Sequence, residues 1–458
     1  DLSEKQVNSL YGAAQFSFRE FLFINATARN DWFSVLSPAN RSILYPSVTG
    51  SFVFTEAFST LPNWLTFGKL RAAYAEVGSD LDVAPYSNNL FYRVNNNLFP
   101  NQDGSLQPVG VIDATTVPNA NLKPMRVSEI EFGLELKFLD NRIGLDVAYY
   151  NKLTKDQILS AQVSDASGYT NRLINVGESR NKGVEMLLNL TPIRTPSFQW
   201  DATFNGSYNT SEVLRLGANP GDTMITTGTA LFELGEVRQW VGHPLGQLFG
   251  WGYRRNPDGQ KVFSTANGTP LRTATQIPFG SALPVWVGGV TNTFTYKGIN
   301  LSFLIDFKLG HKMISATNHN AWRHGLHKGT LVGRAANSVV GEGVNEQNEV
   351  NTKGTTSAQA YYQAARDLRL AEEFVYNAGF WKLRQITLGY DFTRLLPKNK
   401  FVRGVRLNAV ANNVAILKKW VPNIDPESTG FASDNIIGLE ATGIPTTRSI
   451  GFNLNVKF

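Results

Sequence analysis

The sequence of 458 residues contains no cysteine, few charged residues and no long apolar run. Without cysteine, neither disulfides nor thiolate metal sites can form. Charged residues make up 17% of the chain, whereas roughly 25% is usual in a soluble protein, and a lipid-facing surface would account for the deficit. No stretch approaches the roughly 18 consecutive apolar residues that a membrane-spanning helix needs. If this chain crosses a bilayer it must therefore do so as a closed barrel, because every backbone polar group in hydrocarbon requires a partner.

The charges are also too scattered to form a basic face. The formal net charge is +6, which is compatible with contact to anionic lipopolysaccharide and does not indicate nucleic acid. No linker divides the chain, so we expect residues 1–458 to form one barrel domain. The sequence starts at Asp1 without an initiator Met or the signal peptide that such a protein needs, and we expect further sequence upstream.

Segments in which apolar and polar residues strictly alternate recur along the chain. In 299–308, Ile, Leu and Phe residues alternate with Asn, Ser, Asp and Lys. Side chains of a strand point to opposite faces with a period of two, so such a segment has one apolar and one polar face. About 13 or 14 strands of this kind can be counted by this criterion. Other clear examples are 130–138, 143–151, 198–208 and 450–458.

Three features favour a membrane barrel over a soluble sandwich, which would also alternate. The segments are about ten residues long, close to the 9–11 that a tilted membrane strand needs. Aromatic residues lie near the segment ends, as interfacial girdles require. Tight turns also alternate with long polar stretches, which is the arrangement of short periplasmic turns and long extracellular loops. The turns are expected at Asp140-Asn141, Thr195-Pro196, Lys297-Gly298 and Pro397-Lys398-Asn399, and the loops at about 79–126, 214–284, 310–379 and 415–446.

The last strand carries a further signal, because its apolar face ends on the final aromatic residue. Phe452, Leu454, Val456 and Phe458 alternate with small and polar residues. An amphipathic final strand that ends in Phe resembles the signal by which bacterial barrels reach their insertion machinery. The alternative is an ordinary edge strand, but an edge this apolar would be prone to aggregation in water.

Several motifs together resemble the SusC-like (SusC/RagA) TonB-dependent transporters of the Bacteroidetes outer membrane. Each motif is weak alone, but their order and spacing are specific and cover nearly the whole chain. They are Tyr45-Pro46-Ser47-Val48, Leu70-Arg71-Ala72-Ala73-Tyr74, Asn121-Leu122-Lys123-Pro124, Asp140-Asn141-Arg142, Asp146-Val147-Ala148-Tyr149-Tyr150-Asn151-Lys152, Asn175-Val176-Gly177-Glu178, Asn181-Lys182-Gly183-Val184-Glu185, Val241-Gly242-His243-Pro244-Leu245-Gly246, Phe380-Trp381-Lys382-Leu383-Arg384-Gln385-Ile386-Thr387-Leu388-Gly389-Tyr390 and Pro445-Thr446-Thr447-Arg448-Ser449.

The resemblance implies an all-β, transmembrane antiparallel β-barrel of about 22 strands with a plugged lumen, of which this chain would supply the C-terminal ~14. It also implies an importer of oligosaccharides or oligopeptides without a cofactor. A SusD-like surface lipoprotein would act as its lid, and dimers of such pairs are compatible with the resemblance. TonB-ExbB-ExbD would act through an N-terminal region that is absent from this sequence. Two alternatives stay open: a passive 14-stranded channel, and a scaffold or adhesin that transports nothing.

Polar residues of the alternating segments are candidates for the lining of a water-filled lumen. The alternative is that they only solvate the wall and form cross-strand pairs. The lumen-lining candidates are Glu131, Glu135, Asp146, Asp201, Asn205, Asp306 and Lys308.

Aromatic and basic residues of the long loops are candidates for substrate binding. Aromatic rings can stack on the apolar face of a sugar, and arginine can bond hydroxyls or carboxylates. The alternative is packing within the loops or contact with a lid protein. The substrate-binding candidates are Trp240, Trp251, Tyr253, Arg254, Arg255 and Trp322.

No motif indicates catalysis or a metal. His311, His319, His324 and His327 share one loop, but the His-Glu-x-x-His pattern is absent. Asn423, Asp425 and Glu427 offer oxygen ligands, but a loop-shaping role suits this stretch better. Nucleophile elbows, phosphate loops and dinucleotide fingerprints are also missing. The sequence therefore predicts a protein that is not an enzyme.

Overall fold

The structure is a computed structural model, which describes residues 3–80, 83–88, 90, 92–94, 97–112, 116–162, 164–169, 171–175, 177–217, 221, 223–395, 401–428 and 437–458. Thirteen long strands of this part form one sheet, and they follow one another in the sheet in chain order. The strands are β1 (Val7–Phe18), β2 (Leu22–Phe33), β3 (Ser42–Val53), β4 (Leu65–Ser79), β5 (Met125–Phe138), β6 (Ile143–Lys155), β7 (Glu178–Arg194), β8 (Phe198–Arg215), β9 (Trp286–Tyr296), β10 (Ile299–Leu309), β11 (Phe380–Asp391), β12 (Gly404–Lys419) and β13 (Ser449–Lys457).

The described residues divide into two compact units. The first unit comprises Asp1–Leu136, Ala148–Gly183 and Ser211–Ile225, and the second comprises Lys137–Val147, Val184–Thr210 and Thr226–Phe458. In the second unit, the register confirms the alternation that the sequence predicts. β9 pairs antiparallel with β10 from Trp286 opposite Leu309 to Tyr296 opposite Ile299, so the apolar residues of both strands share one face.

Aromatic side chains bound this apolar face at both of its ends. At the loop end, Tyr208 of β8 packs against Trp286 of β9 with ring centroids 4.7 Å apart. At the turn end, Trp200 stacks on Phe294 at 5.8 Å, and the indole of Trp200 donates to the amide oxygen of Asn292. Two aromatic rows with an apolar band between them are the arrangement of a strand surface that faces lipid.

One extra residue in β11 changes which of its side chains face the apolar side. Opposite β10, the partner of Leu304 is Gln385 and the partner of Ile305 is Leu383, so the ladder skips Arg384. Such a bulge shifts the alternation by one residue. On the C-terminal side of the bulge, the even-numbered Ile386 and Leu388 lie on the apolar face. On its N-terminal side, the even-numbered Lys382 instead lies opposite Asp306 on the polar face.

Short and long connections alternate, as the sequence predicts. The expected turns at Asp140-Asn141, Thr195-Pro196 and Lys297-Gly298 are confirmed, because each lies between consecutive strands of the sheet. The fourth expected turn, at Pro397-Lys398-Asn399, lies outside the described residues. The long loops run between β4 and β5, β8 and β9, β10 and β11, and β12 and β13. The loop between β6 and β7 was not predicted.

In the first unit, residues at the end of β2, in β3 and after β2 and β4 form a small core, against which Ile158 and Leu173 pack. None of the helices in the described part of the chain is long and apolar enough to cross a membrane. The core residues are Phe33, Val35, Leu36, Ile43, Tyr45, Val83 and Leu122. The short elements are α1 (Phe54–Ala57), the 3-10 helix Asp165–Ser167 and the strands Tyr92–Val94, Phe99–Pro100, Leu106–Gln107, Gly110–Ile112, Thr116–Val117, Ile158–Gln162 and Asn171–Asn175.

In the second unit, the residues 226–285, 310–379, 420–428 and 437–448 fold together, and we call them the loop layer. Its main core takes fully buried side chains from three different loops, among them Leu248, Ile314, Phe374 and Leu439. The sequence predicts these segments only as polar connections, so their internal structure was missed. Their elements are α2 (Ala316–Arg323), α3 (Ala358–Asp367), the 3-10 helices Leu231–Glu233, Lys328–Leu331 and Ala371–Phe374, and the strands Met224–Thr229, Glu236–Trp240, Gln247–Gly250, Val262–Phe263, Ile277–Ser281, Lys312–Ser315, Val344–Asn345, Val375–Asn377 and Leu439–Glu440; a further 3-10 helix, Phe392–Leu395, follows β11.

Candidate functional site: the polar wall face and the loop layer

In the first unit, the predicted wall carboxylates lie in cross-strand ion pairs. Glu135 of β5 contacts the ammonium group of Lys69 on β4 at 2.6 Å. Four residues earlier on the same face of β5, Glu131 lies 3.5 Å from the guanidinium group of Arg71. Partly exposed pairs of this kind contribute little to stability, typically below about 1 kcal/mol. They give this part of the wall a polar surface with alternating charge.

In the second unit, the polar face carries hydroxyl, amide and charged groups. Asp201 accepts from Thr191 at 2.9 Å and from Gln199 at 2.8 Å. Asn205 is exposed opposite Gly289, which has no side chain to cover it. The predicted candidate Asp146 is half-buried on β6. The polar faces that the alternation predicts are therefore present in the sheet.

Six charged residues of the second unit are connected by ion pairs, and we call them the anchor cluster: Asp306, Lys308, Lys382, Arg384, Asp425 and Glu427. The ammonium group of Lys382 lies 2.6 Å from Asp425 and 2.7 Å from Glu427, and its side chain is only 2% exposed. Arg384 bonds Asp306 at 2.6 Å and Glu427 at 2.9 Å. The loop after β12 is thus tied to the wall strands β10 and β11.

Both loop carboxylates of the anchor cluster are held ionised. Burial alone would raise the pKa of Glu427, but hydrogen bonds from Arg384 and Lys382 outweigh it and hold that pKa below its ordinary value. Burial opposes ionisation of Asp425 in the same way, and bonds from Lys382 and Thr446 lower its pKa. Because both pKa values are lowered on folding, this stabilisation is complete above the ordinary carboxyl range and is lost as the pH falls through the lowered values.

A second set of contacts ties the same loop to α2. The buried carboxylate of Glu440 accepts from the Ser315 hydroxyl at 2.7 Å, and from the backbone nitrogen and the hydroxyl of Thr317 at 2.9 and 2.6 Å. The side-chain amide of Asn318 donates to the carbonyl of Pro422 at 3.1 Å. The described parts of this loop are therefore attached on both sides of residues 429–436.

Two of the predicted substrate-binding residues hold the loop layer together. Tyr253 is buried and donates its hydroxyl to Glu373 at 2.6 Å. Burial, followed by the charge of Glu373, raises the pKa of Tyr253. The guanidinium group of Arg255 bonds both carboxylate oxygens of Glu372 at 2.7 and 3.0 Å. These contacts link the segment near Tyr253 to the 3-10 helix Ala371–Phe374.

The other four candidates differ in accessibility. Trp240 stacks on His243 with ring centroids 3.5 Å apart, and Trp322 packs edge-on against Tyr362 at 5.1 Å. Trp251 is half-buried, with the guanidinium group of Arg272 above its ring at 4.1 Å. Arg254 is thus exposed, while Trp240, Trp251 and Trp322 are each half-buried.

The histidines of the loop after β10 do not share one position. His319 is buried against Phe374, and burial, with smaller effects of Arg323 and Arg366, lowers its pKa to about 4. His327 instead accepts a bond from the backbone nitrogen of Gly329. In the residues that the structure describes, no three His, Cys, Asp or Glu side chains gather in a way that could hold a metal ion.

Long antiparallel strands with one apolar face bounded by aromatics, together with alternating short turns and long loops, define a transmembrane β-barrel protein. A comparison with family models agrees. The model for the TonB dependent receptor-like β-barrel matches residues 1–414. The chain belongs to this family, whose members are outer-membrane proteins and are not enzymes.

Curated relatives and solved structures point in the same direction. TonB-dependent receptor P3 of Formosa agariphila is 25% identical over 490 residues, which cover 100% of this chain and 46% of the relative. TonB-dependent receptor SusC of Bacteroides thetaiotaomicron is 24% identical over 98% of this chain and 43% of its own length. The structure of the RagAB peptide transporter matches with a TM-score of 0.75 at 20% identity, over 100% of this chain and 48% of that one. The chain therefore spans about half the length of the relatives that it matches.

Proposed function

We propose that this protein imports oligosaccharides or oligopeptides across the outer membrane, energised by TonB, with a SusD-like lipoprotein as its lid. The observation that carries the proposal is the combination of a polar wall face with a loop layer that has its own buried core. A passive pore needs only a hydrated wall, whereas a folded loop layer offers a surface for selecting a ligand and for docking a lid. The whole chain 1–458 would act as part of one barrel domain, with TonB-ExbB-ExbD engaging a region outside this sequence.

The names of two relatives support this proposal. One curated relative is named SusC, and a solved structure of similar fold is described as the RagAB peptide importer. For this chain, an oligopeptide or a charged oligosaccharide suits a wall whose polar face carries paired acids and bases. Within this proposal the residues Glu131, Glu135, Asp146, Asp201, Asn205, Asp306 and Lys308 line the lumen. Contact with outer-membrane lipid, and pairing of two transporter–lipoprotein units, belong to the same proposal.

The test is uptake in cells with and without TonB. Cells that produce the full-length protein should take up labelled peptides from a tryptic casein digest, or labelled malto-oligosaccharides, only when TonB is present. Uptake that persists without TonB would favour the passive channel. If neither probe enters under either condition while the protein is present in the outer membrane, the scaffold alternative gains support and the importer is contradicted.

For substrate binding we expect the accessible loop residues to matter most. Trp251→Ala combined with Arg254→Ala should weaken binding of the transported probe by about tenfold, because one aromatic contact and one charge-assisted bond are lost. Trp64→Ala, which removes an exposed tryptophan outside the loop layer, serves as the control and should leave affinity unchanged. Calorimetry on the detergent-solubilised protein measures both. An unaltered affinity in the double variant would contradict a role for this pair.

A further inference from the structure

Three cations of the anchor cluster converge on a single carboxylate, that of Glu427. One oxygen of Glu427 lies 2.7 Å from Lys382 and 2.9 Å from a guanidinium nitrogen of Arg384. The other oxygen lies 3.1 Å from a second nitrogen of Arg384 and 3.7 Å from Lys308. Arg384 thus presents two donors to the two oxygens of one carboxylate, which is the geometry by which arginine recognises free carboxylates.

The cluster has a closed half and an open half. Lys382 and Asp425 have side-chain exposures of 2% and 5%, so solvent does not reach them. Lys308 is 42% exposed, and Arg384 and Glu427 are 24% and 19% exposed. A carboxylate arriving from solvent along the polar face would therefore meet Lys308 and Arg384 without disturbing the closed pair.

Glu427 is also separable from the anchor that holds its loop. Asp425 keeps its own bond to Lys382 and accepts from the backbone and hydroxyl of Thr446. Lys419 donates to the carbonyl of Ile424. If Glu427 moved away, these bonds would still hold the start of the loop. Exchange of one carboxylate for another would also preserve the charge balance of the cluster, so the buried cations would not be left unpaired.

We propose that Lys308 and Arg384 form a subsite for a carboxylate of the transported molecule, and that Glu427 occupies this subsite when no substrate is bound. A ligand that carries a carboxylate, such as a peptide C-terminus or a uronate, displaces Glu427 and loosens residues 426–428. This inference rests on the proposed import function and adds a substrate chemistry to it. It also assigns residues 420–428 as the segment that responds to the ligand.

A matched pair of probes tests the subsite in the full-length protein in detergent. N-acetyl-tetra-alanine has a C-terminal carboxylate, and its C-terminal amide is the same peptide without the charge. Glu427→Gln removes the resident charge, so we expect it to tighten binding of the acid by about tenfold and to leave binding of the amide unchanged. Glu342→Gln, which neutralises an exposed carboxylate of a different loop, is the matched control and should change neither affinity. In the unaltered protein the acid, and not the amide, should accelerate hydrogen exchange at the backbone amides of Glu427 and Ser428.

Lys308→Gln keeps the test decisive if Glu427→Gln folds poorly. Lys308 contacts the cluster only through Glu427, at 3.7 Å, so its loss spares the closed half and should weaken binding of the acid about fivefold. Equal affinity for acid and amide in the unaltered protein and in Glu427→Gln, or exchange that the acid leaves unchanged, would overturn the subsite. If the subsite fails in this way while TonB-dependent uptake is intact, only the subsite is contradicted and the import proposal stands. If the acid binds selectively but no uptake occurs, the import proposal is contradicted and the subsite stands.

Discussion

Replacing Lys382 with methionine should destabilise the attachment of residues 420–428 by about 3–5 kcal/mol, because two carboxylates would stay in a site that has lost its buried cation. Methionine keeps most of the volume of the lysine side chain, so the loss of charge dominates. Hydrogen exchange of 420–428 and limited proteolysis of the loop measure the effect. The strands of the sheet should exchange at unchanged rates, because the cluster lies where the loop meets β10 and β11.

Two further variants separate the charge effect from a general loss of packing. Lys418→Met removes an exposed lysine of the neighbouring strand β12, whose ammonium group lies 4.8 Å from the ring of Trp420, and should cost less than about 1 kcal/mol. Adding Asp425→Asn to Lys382→Met removes the unpaired buried charge and should restore much of the stability. A double variant that is less stable than Lys382→Met would show that charge burial is not the cause.

The second large effect is expected on the opposite face of the sheet. Val290→Arg should lower the stability of the protein in lipid vesicles by about 2–4 kcal/mol, because the new charge would lie near the middle of the apolar band. Val290 lies between the aromatic residues Trp286 and Phe294 of the same strand and pairs with Ile305. Reversible unfolding by urea in vesicles, followed by tryptophan fluorescence, measures the change.

The neighbouring position provides the control. Thr291 alternates with Val290 and pairs with Leu304 on the polar face, so Thr291→Arg places the same charge toward water. It should cost less than about 1 kcal/mol. Equal destabilisation by the two substitutions would contradict the assignment of the two faces, and with it the membrane-facing surface.

The wall was predictable because its pattern is local. The alternation of Ile299, Leu301 and Phe303 with polar neighbours predicts which side of the strand is apolar. This period of two can be recognised without knowing any distant contact. The alternation of short turns and long loops is local as well. The candidate wall charges follow from the same rule, although their ion partners do not.

The anchor cluster was not predictable, because its partners are remote in sequence. Lys382 meets Asp425 across 43 positions, and Tyr253 meets Glu373 across 120. No periodicity connects such pairs, and composition does not say which acid meets which base. The aromatic and basic residues near 253 therefore suggest a ligand surface from sequence, while the structure assigns Tyr253 and Arg255 to contacts within the loop layer.

Both helices of the loop layer begin with a capping serine that can be recognised in the sequence. Ser357 caps α3 by accepting from the backbone of Ala360 at 3.0 Å, and alanine-rich sequence follows it. A capping serine before such a run is a helix-start signature. Ser315 caps α2 similarly, accepting from Asn318. The sequence around both helices is as polar as a connecting loop, so neither helix was predicted.

The supernumerary residue of β11 lets this strand lose one codon without exchanging its two sides. Without Arg384, Leu383 and Gln385 would still lie opposite Ile305 and Leu304, now in a regular ladder with β10, and both halves of the strand would keep their present faces. The loss would fall on the bonds that Arg384 makes to Asp306 and Glu427. A deletion of this one codon should therefore leave the greasy and the wet side of the strand in place and remove only a side chain of the anchor cluster.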